Sequence, residues 1–313
     1  MRHASRIRSL TVGVALAVVA LWPAVTTAGK PGESGFLSLR LGAGAREAGM
    51  GNAGVASSRG AAAIYWNPAN LSLMDYKTDL LLQHQRWLSL FNHETASLAH
   101  RTKFGDLGII FQGFYSDKIT RYDELEVGVP KGTFRPYDVV FGISFARKVI
   151  ESLAAGVTVK ILHEEIDVYS DSGFAFDFFL SHQAVIEGLF FGASLTNVGA
   201  DMKLNQEPFP LPTALRLGAA YQPAGKFLIG TWTFAGDVII PNDGTEKAHL
   251  GLEWLLLPEL ALRFGSNLNY DSRGLTFGAG FRKGVLGIGY AYEDMKEGDG
   301  LNPAHKFSLE LNY

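Results

Sequence analysis

Several constellations in this 313-residue chain carry side chains capable of chemistry. Gly49-Met50-Gly51-Asn52-Ala53-Gly54 fits G-x-G-x-x-G, a loop that lets backbone approach a pyrophosphate, and Asp75 follows where a ribose-binding acid would stand. That chemistry needs a buried strand before the loop and a helix after it. Asn67-Pro68 interrupts such a unit, and nothing downstream alternates strand with helix. His163, Glu164, Glu165 and Asp167 have metal-ligating groups, but neighbours on a strand point to opposite faces and converge poorly on one ion. Asp294, Glu297 and Asp299 lack the spacing of a calcium loop. Ser181 and His182 sit together at a predicted turn without a placed acid partner. The chain has no cysteine, which excludes thiol nucleophiles, disulfides and zinc-thiolate sites. No catalytic set emerges, no cofactor or metal is expected, and the chain does not read as an enzyme. A hydrolase whose triad assembles only in space is the remaining enzymatic alternative.

The elements that must position any site are strands. From about Thr78 onward, bulky apolar residues alternate with small or polar ones. At the end of the chain Phe307, Leu309, Leu311 and Tyr313 take one face, while Lys306, Ser308, Glu310 and Asn312 take the other. Val139, Phe141, Ile143 and Phe145 repeat the pattern, as do Phe174, Phe176, Phe178 and Leu180. A soluble sandwich alternates too. Here the second face is Gly, Ser, Thr and Asn with scattered charges, and the apolar face often ends in Tyr, Trp or Phe. A lipid-facing band with aromatic rims around a polar lumen requires that arrangement. Charged residues are only 19% and glycines number 36, a balance that suits strands with one greasy face better than helices or disorder.

About fourteen strands are predicted, an even number as bacterial single-chain barrels require. They fall near 78–90, 94–102, 106–116, 135–147, 152–165, 172–182, 186–198, 213–222, 227–239, 247–256, 259–270, 274–283, 286–294 and 304–313. Short connections alternate with longer ones at 117–134, 166–171, 199–212, 240–246 and 295–303. Short periplasmic turns opposite longer external loops would produce this asymmetry, although 91–93 and 271–273 break it. The predicted fold class is all-β, a fourteen-stranded antiparallel transmembrane β-barrel over 78–313.

The N-terminus adds a location. Arg2, Arg6 and Arg8 precede an apolar run at 10–21, and Thr26-Thr27-Ala28 places small residues before Gly29. This is the pattern of a Sec-type signal peptide over 1–28, since the run is about twelve residues and a spanning helix needs roughly 20. The last residue is aromatic: Tyr313, with Leu311 and Leu309 on its face, resembles the signal read by the machinery that assembles outer-membrane barrels. That machinery and outer-membrane lipids are the expected partners, and the bacterial outer membrane the expected location. A net charge of −3 without a basic patch argues against nucleic acid.

Residues 29–77 are different: small, Gly-rich and weakly periodic. Such a segment belongs inside a lumen, where protein and water can satisfy irregular backbone. It is read as a plug, or hatch, with glycines such as Gly49 and Gly51 flanking Met50 as hinges. Arg46 and Arg59 are candidates to pair with lumen-facing Glu253 or Glu310. Pro68 fixes its own φ and pushes Asn67 out of the helical region, and Asn67 can bond the local backbone, so Asn67-Pro68-Ala69 should form a rigid turn where the hatch ends.

The block from Leu39-Arg40-Leu41-Gly42 to Gly54-Val55-Ala56, followed by Ile64-Tyr65-Trp66-Asn67-Pro68-Ala69, resembles the N-terminus of the FadL-like superfamily, most closely its PorV/PorQ branch. A run across 121–137 adds to the likeness, which otherwise extends to layout alone. The resemblance implies a fourteen-stranded barrel whose hatch contains the Asn-Pro-Ala motif. It implies one of two functions: a barrel that holds protein cargo in a type IX-like secretion system, or a channel for long-chain fatty acids or other hydrophobic small molecules. FadL has much larger external loops, so the compact layout here leans to PorV/PorQ. Phe134 and Pro136, and Phe209 and Leu211, are apolar residues in or beside the two longest loops, which marks those loops as candidate partner-binding surfaces.

Overall fold

The computed structural model describes residues 29–122, 128–224, 229–295 and 302–313. The predicted signal peptide lies outside them, as do Glu297, Asp299 and residues 123–127 of the second motif.

Alternation becomes a wall. Among the described residues fourteen antiparallel strands close into a ring. In chain order they are β1 (Thr78–Trp87), β2 (Phe91–Arg101), β3 (Asp106–Ser116), β6 (Tyr137–Ile150), β7 (Leu153–Ile166), β8 (Tyr169–Gln183), β9 (Leu189–Gly199), β12 (Ala214–Tyr221), β13 (Thr231–Pro241), β14 (Lys247–Leu257), β15 (Leu260–Leu268), β16 (Arg273–Lys283), β17 (Leu286–Met295) and β18 (Ala304–Asn312). Each coincides with a predicted segment to within a few residues. β1 closes the ring against β18, from Asp79 opposite Asn312 to Arg86 opposite His305. Tyr313 falls one residue past β18, yet its carbonyl accepts from the Lys77 and Thr78 amides, so it still ties the seam. The two longest connections are not irregular. Each folds into a hairpin of its own: β4 (Ile119–Tyr122) with β5 (Pro130–Phe134), and β10 (Met202–Leu204) with β11 (Glu207–Phe209).

The two faces of the wall are chemically opposite. On β8, Phe174, Phe176 and Phe178 are exposed, whereas Ala175, Asp177, Phe179 and Ser181 are buried. On β6, Phe141, Ile143 and Phe145 face out, and Ser144 and Ala146 face in. A soluble barrel would place its apolar face inward; this one is inside out, the arrangement for a hydrocarbon solvent. Trp232 and Trp254 stack at 5.1 Å near the short-turn end, on the same face as exposed Phe234 and Leu250. Near the long-loop end the outward Tyr137 hydroxyl donates to Glu165 at 2.8 Å, and Tyr290 meets His305 at 2.9 Å. Amphipathic rings at both rims suit a water–lipid boundary.

The core is the plug. Residues 29–77 run from the long-loop end, where the Gly29 amide donates to Asn242 at 2.7 Å, to the short-turn end, where Arg101 donates to the Met74 carbonyl. The segment contains short helices at Ala45–Gly49 and Ala63–Trp66 and 3-10 turns at Leu37–Arg40, Gly60–Ala62 and Pro68–Leu73. Little of its backbone can bond within such short pieces. Lumen-facing side chains do that work: Gln83 accepts from the Gly44 amide at 2.5 Å, Asp79 from Ala61 at 2.7 Å and Asp237 from Val55 at 3.0 Å. Lys306 donates to the Gly42 carbonyl at 2.5 Å and Ser97 to Ala61 at 3.0 Å. The polar inner face is thus a complement to an irregular chain, because buried backbone polar groups left unpaired are costly.

Candidate functional site

The G-x-G run is where plug and wall come closest. Gly51 takes φ +65°, a region that favours glycine, and a Cβ there would meet the Leu250 carbonyl oxygen at 2.5 Å. The wall answers with its own glycines: a Cβ on Gly265 would stand 2.0 Å from the Gly51 nitrogen, and one on Gly278 would stand 3.0 Å from the Gly49 Cα. Gly251 and Gly265 face each other across β14 and β15, so the loop at 49–51 rests on a bare backbone patch. Thr276 pins it by accepting from the Gly51 amide at 2.9 Å and donating to the Gly49 carbonyl at 3.0 Å. Met50 is fully buried beside Ala53, Ala220 and Ala235. These glycines permit close packing and serve as a seat; the hinge role expected of them finds no slack at this contact.

Asn67-Pro68-Ala69 works as a clamp. The Asn67 backbone is extended, as a residue before proline must be, and its side-chain oxygen accepts from the Ala69 amide at 3.1 Å. Its amide group donates to the Val55 carbonyl at 3.0 Å and to Leu180 on β8 at 2.8 Å. One fully buried side chain therefore holds the turn, the plug and the wall together. The motif does not end the hatch: Pro68 opens the 3-10 turn Pro68–Leu73, a good N-terminal position for a residue without an N–H, and β1 begins only at Thr78.

At the short-turn end a cavity of about 320 Å³ is lined by charge. Arg46 grips Glu253 in a fork, with Nη2 to Oε1 at 2.8 Å and Nε to Oε2 at 3.0 Å, and Arg263 reaches the same carboxylate at 2.7 Å. Burial alone would lower the Arg46 pKa, but the carboxylates of Glu253 and Glu47 outweigh it and the group stays firmly charged. Glu47 is buried too, and burial pushes its carboxyl up despite Arg46 alongside. The Arg46–Glu253 pairing read from sequence is present; the others are not. Arg59 donates to the Ala56 and Ser58 carbonyls and lies 4.8 Å from the Phe190 ring centre, while Glu310 takes Arg282.

At the long-loop end the inner wall turns apolar. Val140, Leu162 and Ala175 of the wall pack with Phe36 and Leu39 of the plug and with Met202 and Leu211 of the loop at 200–213, and Phe209 leans on the same cluster. This corrects the expectation for two loop residues: Leu211 is 2% exposed and Phe209 half-buried, because the β10–β11 hairpin folds inward over the plug. Phe134 and Pro136 are also half-buried. A larger concavity, about 930 Å³, lies on the outside of the wall instead, where Phe111, Leu82, Leu309, Ile288 and Phe281 line a groove across the β1–β18 seam. Leu309 is half-exposed there; Leu311, on the same face of β18, is half-exposed and Tyr313 beyond it is exposed.

The other constellations disperse. Ser181 and His182 lie within β8 and not on a turn, with Ser181 buried in the lumen and His182 bonded to the Ser152 carbonyl at 2.9 Å. His163 engages Ser172 at 2.9 Å and Tyr137 at 3.4 Å. Sequence reasoning missed Tyr65 and Trp66 as structural pivots. The Trp66 indole donates to the Ala43 carbonyl at 2.7 Å and lies flat against Gly42 and Gly54, and Tyr65 donates to Leu39 at 2.9 Å. Their signal was two large aromatics inside a run of small residues.

A closed fourteen-stranded antiparallel barrel, inside out and filled by its own N-terminal segment, defines a plugged channel-type barrel as the structural class. Similar solved folds agree. The Pseudomonas putida toluene transporter TodX superimposes with a TM-score of 0.61 at 14% identity, covering 86% of this chain and 96% of that one. A Pseudomonas aeruginosa FadL homologue gives 0.53 at 9% identity, covering 87% and 98%. At these identities the likeness is one of fold. No curated protein matches the sequence. By sequence the chain belongs to the Uncharacterised protein family (UPF0164), whose model matches residues 8–309.

Proposed function

We propose that this protein is an outer-membrane channel for hydrophobic small molecules, exported by an N-terminal signal peptide and closed here by its plug. The carrying observation is the apolar cluster at the long-loop end. Elsewhere the inner wall mixes polar side chains bonded to plug backbone with apolar ones such as Leu81, Ala99 and Ile110, which pack on the far end of the plug. Here Val140, Leu162 and Ala175 present an apolar face, and the plug's own Phe36 and Leu39 occupy it. Met202 and Leu211 of the loop cover that patch, so an apolar molecule at the mouth would reach it by displacing them and taking over the apolar contacts they make. The fold shared with a toluene transporter and a FadL homologue supports the reading. The narrower kinship to PorV and PorQ, and protein export with it, rests on the hatch motif, the run across 121–137 and the compact layout, and one of the loops that would grip cargo spends Phe209 and Leu211 on the plug.

The test exploits a chain without cysteine. A Cβ on Gly289 would stand 3.2 Å from the Ala45 Cβ, close enough that Ala45→Cys with Gly289→Cys can cross-link plug to wall. Uptake of radiolabelled toluene and of a long-chain fatty acid is compared in cells with and without the barrel. Uptake that needs the barrel, stops on oxidation and returns on reduction is expected. Uptake no faster than in cells lacking the barrel would remove the channel, and equal uptake in both redox states would remove the plug as its gate.

A further inference from the structure

A further cavity, of about 200 Å³, lies between plug and wall at the long-loop end, beside the apolar cluster, with Leu39 on the border of both. Among the described residues, four cationic side chains line it: Arg40 of the plug, Arg216 of β12, Lys247 of β14 and Arg273 of β16. The one lining carboxylate, Asp243, already accepts from Arg40 at 2.5 Å and from the Ser34 amide at 3.2 Å. Arg273 has Glu293 only at 3.6 Å, too long for a good hydrogen bond. Lys247 donates to Thr245 at 3.2 Å and to the Asn269 carbonyl at 2.5 Å, both uncharged. Arg216 makes no ion pair among the described residues. Its guanidinium lies 5.5 Å from the Trp66 ring centre, and its Nε is buried without a partner. Asp237 on the neighbouring strand holds the Val55 amide with one oxygen, and its other oxygen is buried without a partner.

Four cations meet here with Asp243 bound to Arg40, Glu293 beside Arg273 and Asp237 on the neighbouring strand, so one positive charge is left over in a medium that screens poorly, and an anion would be favoured. The geometry also selects. Arginine forks suit the oxygens of a phosphate. His249 Nδ1 meets the Asn52 carbonyl at 2.9 Å and so carries its proton, leaving Nε2 to accept from Tyr270 at 2.8 Å; this fixes the Tyr270 ring beneath Lys247 and Arg273. The cavity is large enough for a phosphate group, and its cationic side chains supply the donors that group needs. We propose that this cavity binds a phosphate-type oxyanion, as inorganic phosphate or the phosphate end of a small soluble monoester. The anion bridges Arg40 of the plug to Arg216 and Arg273 of the wall, and so latches the plug shut. The site stands whatever the channel carries.

The test uses the mature barrel in detergent. Inorganic phosphate replaces chloride at constant ionic strength while calorimetry and tryptophan emission are followed, with Trp66→Phe as the emission blank. Saturable heat, an emission change that requires Trp66, and slower hydrogen exchange across 44–66 are expected. Arg216→Ala should weaken binding at least about tenfold and abolish the added protection. Lys247→Ala supplies a second variant if Arg216→Ala does not assemble, and the wild-type titration stands without either. Absence of saturable binding, undiminished binding in the variants, or binding of dispersed phosphatidic acid without inorganic phosphate would each overturn the proposal.

Discussion

Single charges carry more of this plug's position than their number suggests. Glu253 is held by both Arg46 and Arg263, and all three side chains are largely buried. Deleting one partner of a buried pair leaves an uncompensated charge, at a cost of about 3–5 kcal/mol. Glu253→Leu takes the carboxylate from Arg263 and leaves Arg46 with only Glu47 at 3.4 Å, whereas Arg46→Met leaves Glu253 with Arg263. The first should therefore loosen the plug more than the second, seen as faster hydrogen exchange across 44–66. Glu47 gives a pH dependence of known sign. Its carboxyl titrates higher in the seated plug than in a free chain, chiefly because burial disfavours its charge. Its contribution to seating is thus complete below the ordinary carboxylate range and is lost as pH rises through the raised value. Plug protection, taken relative to the intrinsic exchange rate at each pH, should rise on acidification through that window, and Glu47→Gln should flatten the response. A response unchanged in the variant would assign it to another group.

At the level of elements, the seat is a match between a loop and three strands. Gly49 and Gly51 meet Gly265 and Gly278 across a contact too close for any side chain. Gly265→Ala puts a Cβ 2.0 Å from the Gly51 nitrogen, and a backbone atom on each side cannot yield as a flexible side chain would. A strand accepts alanine readily, so the barrel should assemble normally while the plug stands off. The expected signature is an unchanged heat-dependent shift on a gel with a rise in single-channel conductance; conductance at the wild-type level would show that the seat tolerates the methyl group. The G-x-G pattern was visible in the sequence, but its use was not, since its partners lie more than 200 residues away in the chain.

Across the whole molecule, what could be read beforehand follows from how far apart the cooperating residues are. The wall was legible because alternation is local: Lys306 to Tyr313 declares two faces without reference to any other strand. The hairpins β4–β5 and β10–β11 were not, because three to five residues per strand are too few to show a period. Arg46 opposite Glu253 could be anticipated, since charges in a Gly- and Ala-rich segment need partners. The oxyanion cavity could not. Arg40, Arg216, Lys247 and Arg273 come from four elements and meet only when the ring is complete, and each alone looks like an ordinary charge near a strand end.

Ring closure also sets an order of events. The plug leads directly into β1, and β1 is the strand that zips onto β18 from Asp79 to Arg86. A segment threaded through a lumen cannot easily enter once its own C-terminal end is sewn into the seam. Asp79 makes the point concrete, since it sits in the closing ladder while its carboxylate already holds the Ala61 amide. The chain must therefore curl around residues 29–77 while the last strand is still arriving. The plug acts as a mandrel for the sheet, and the final zipping step seals in whatever conformation it has reached.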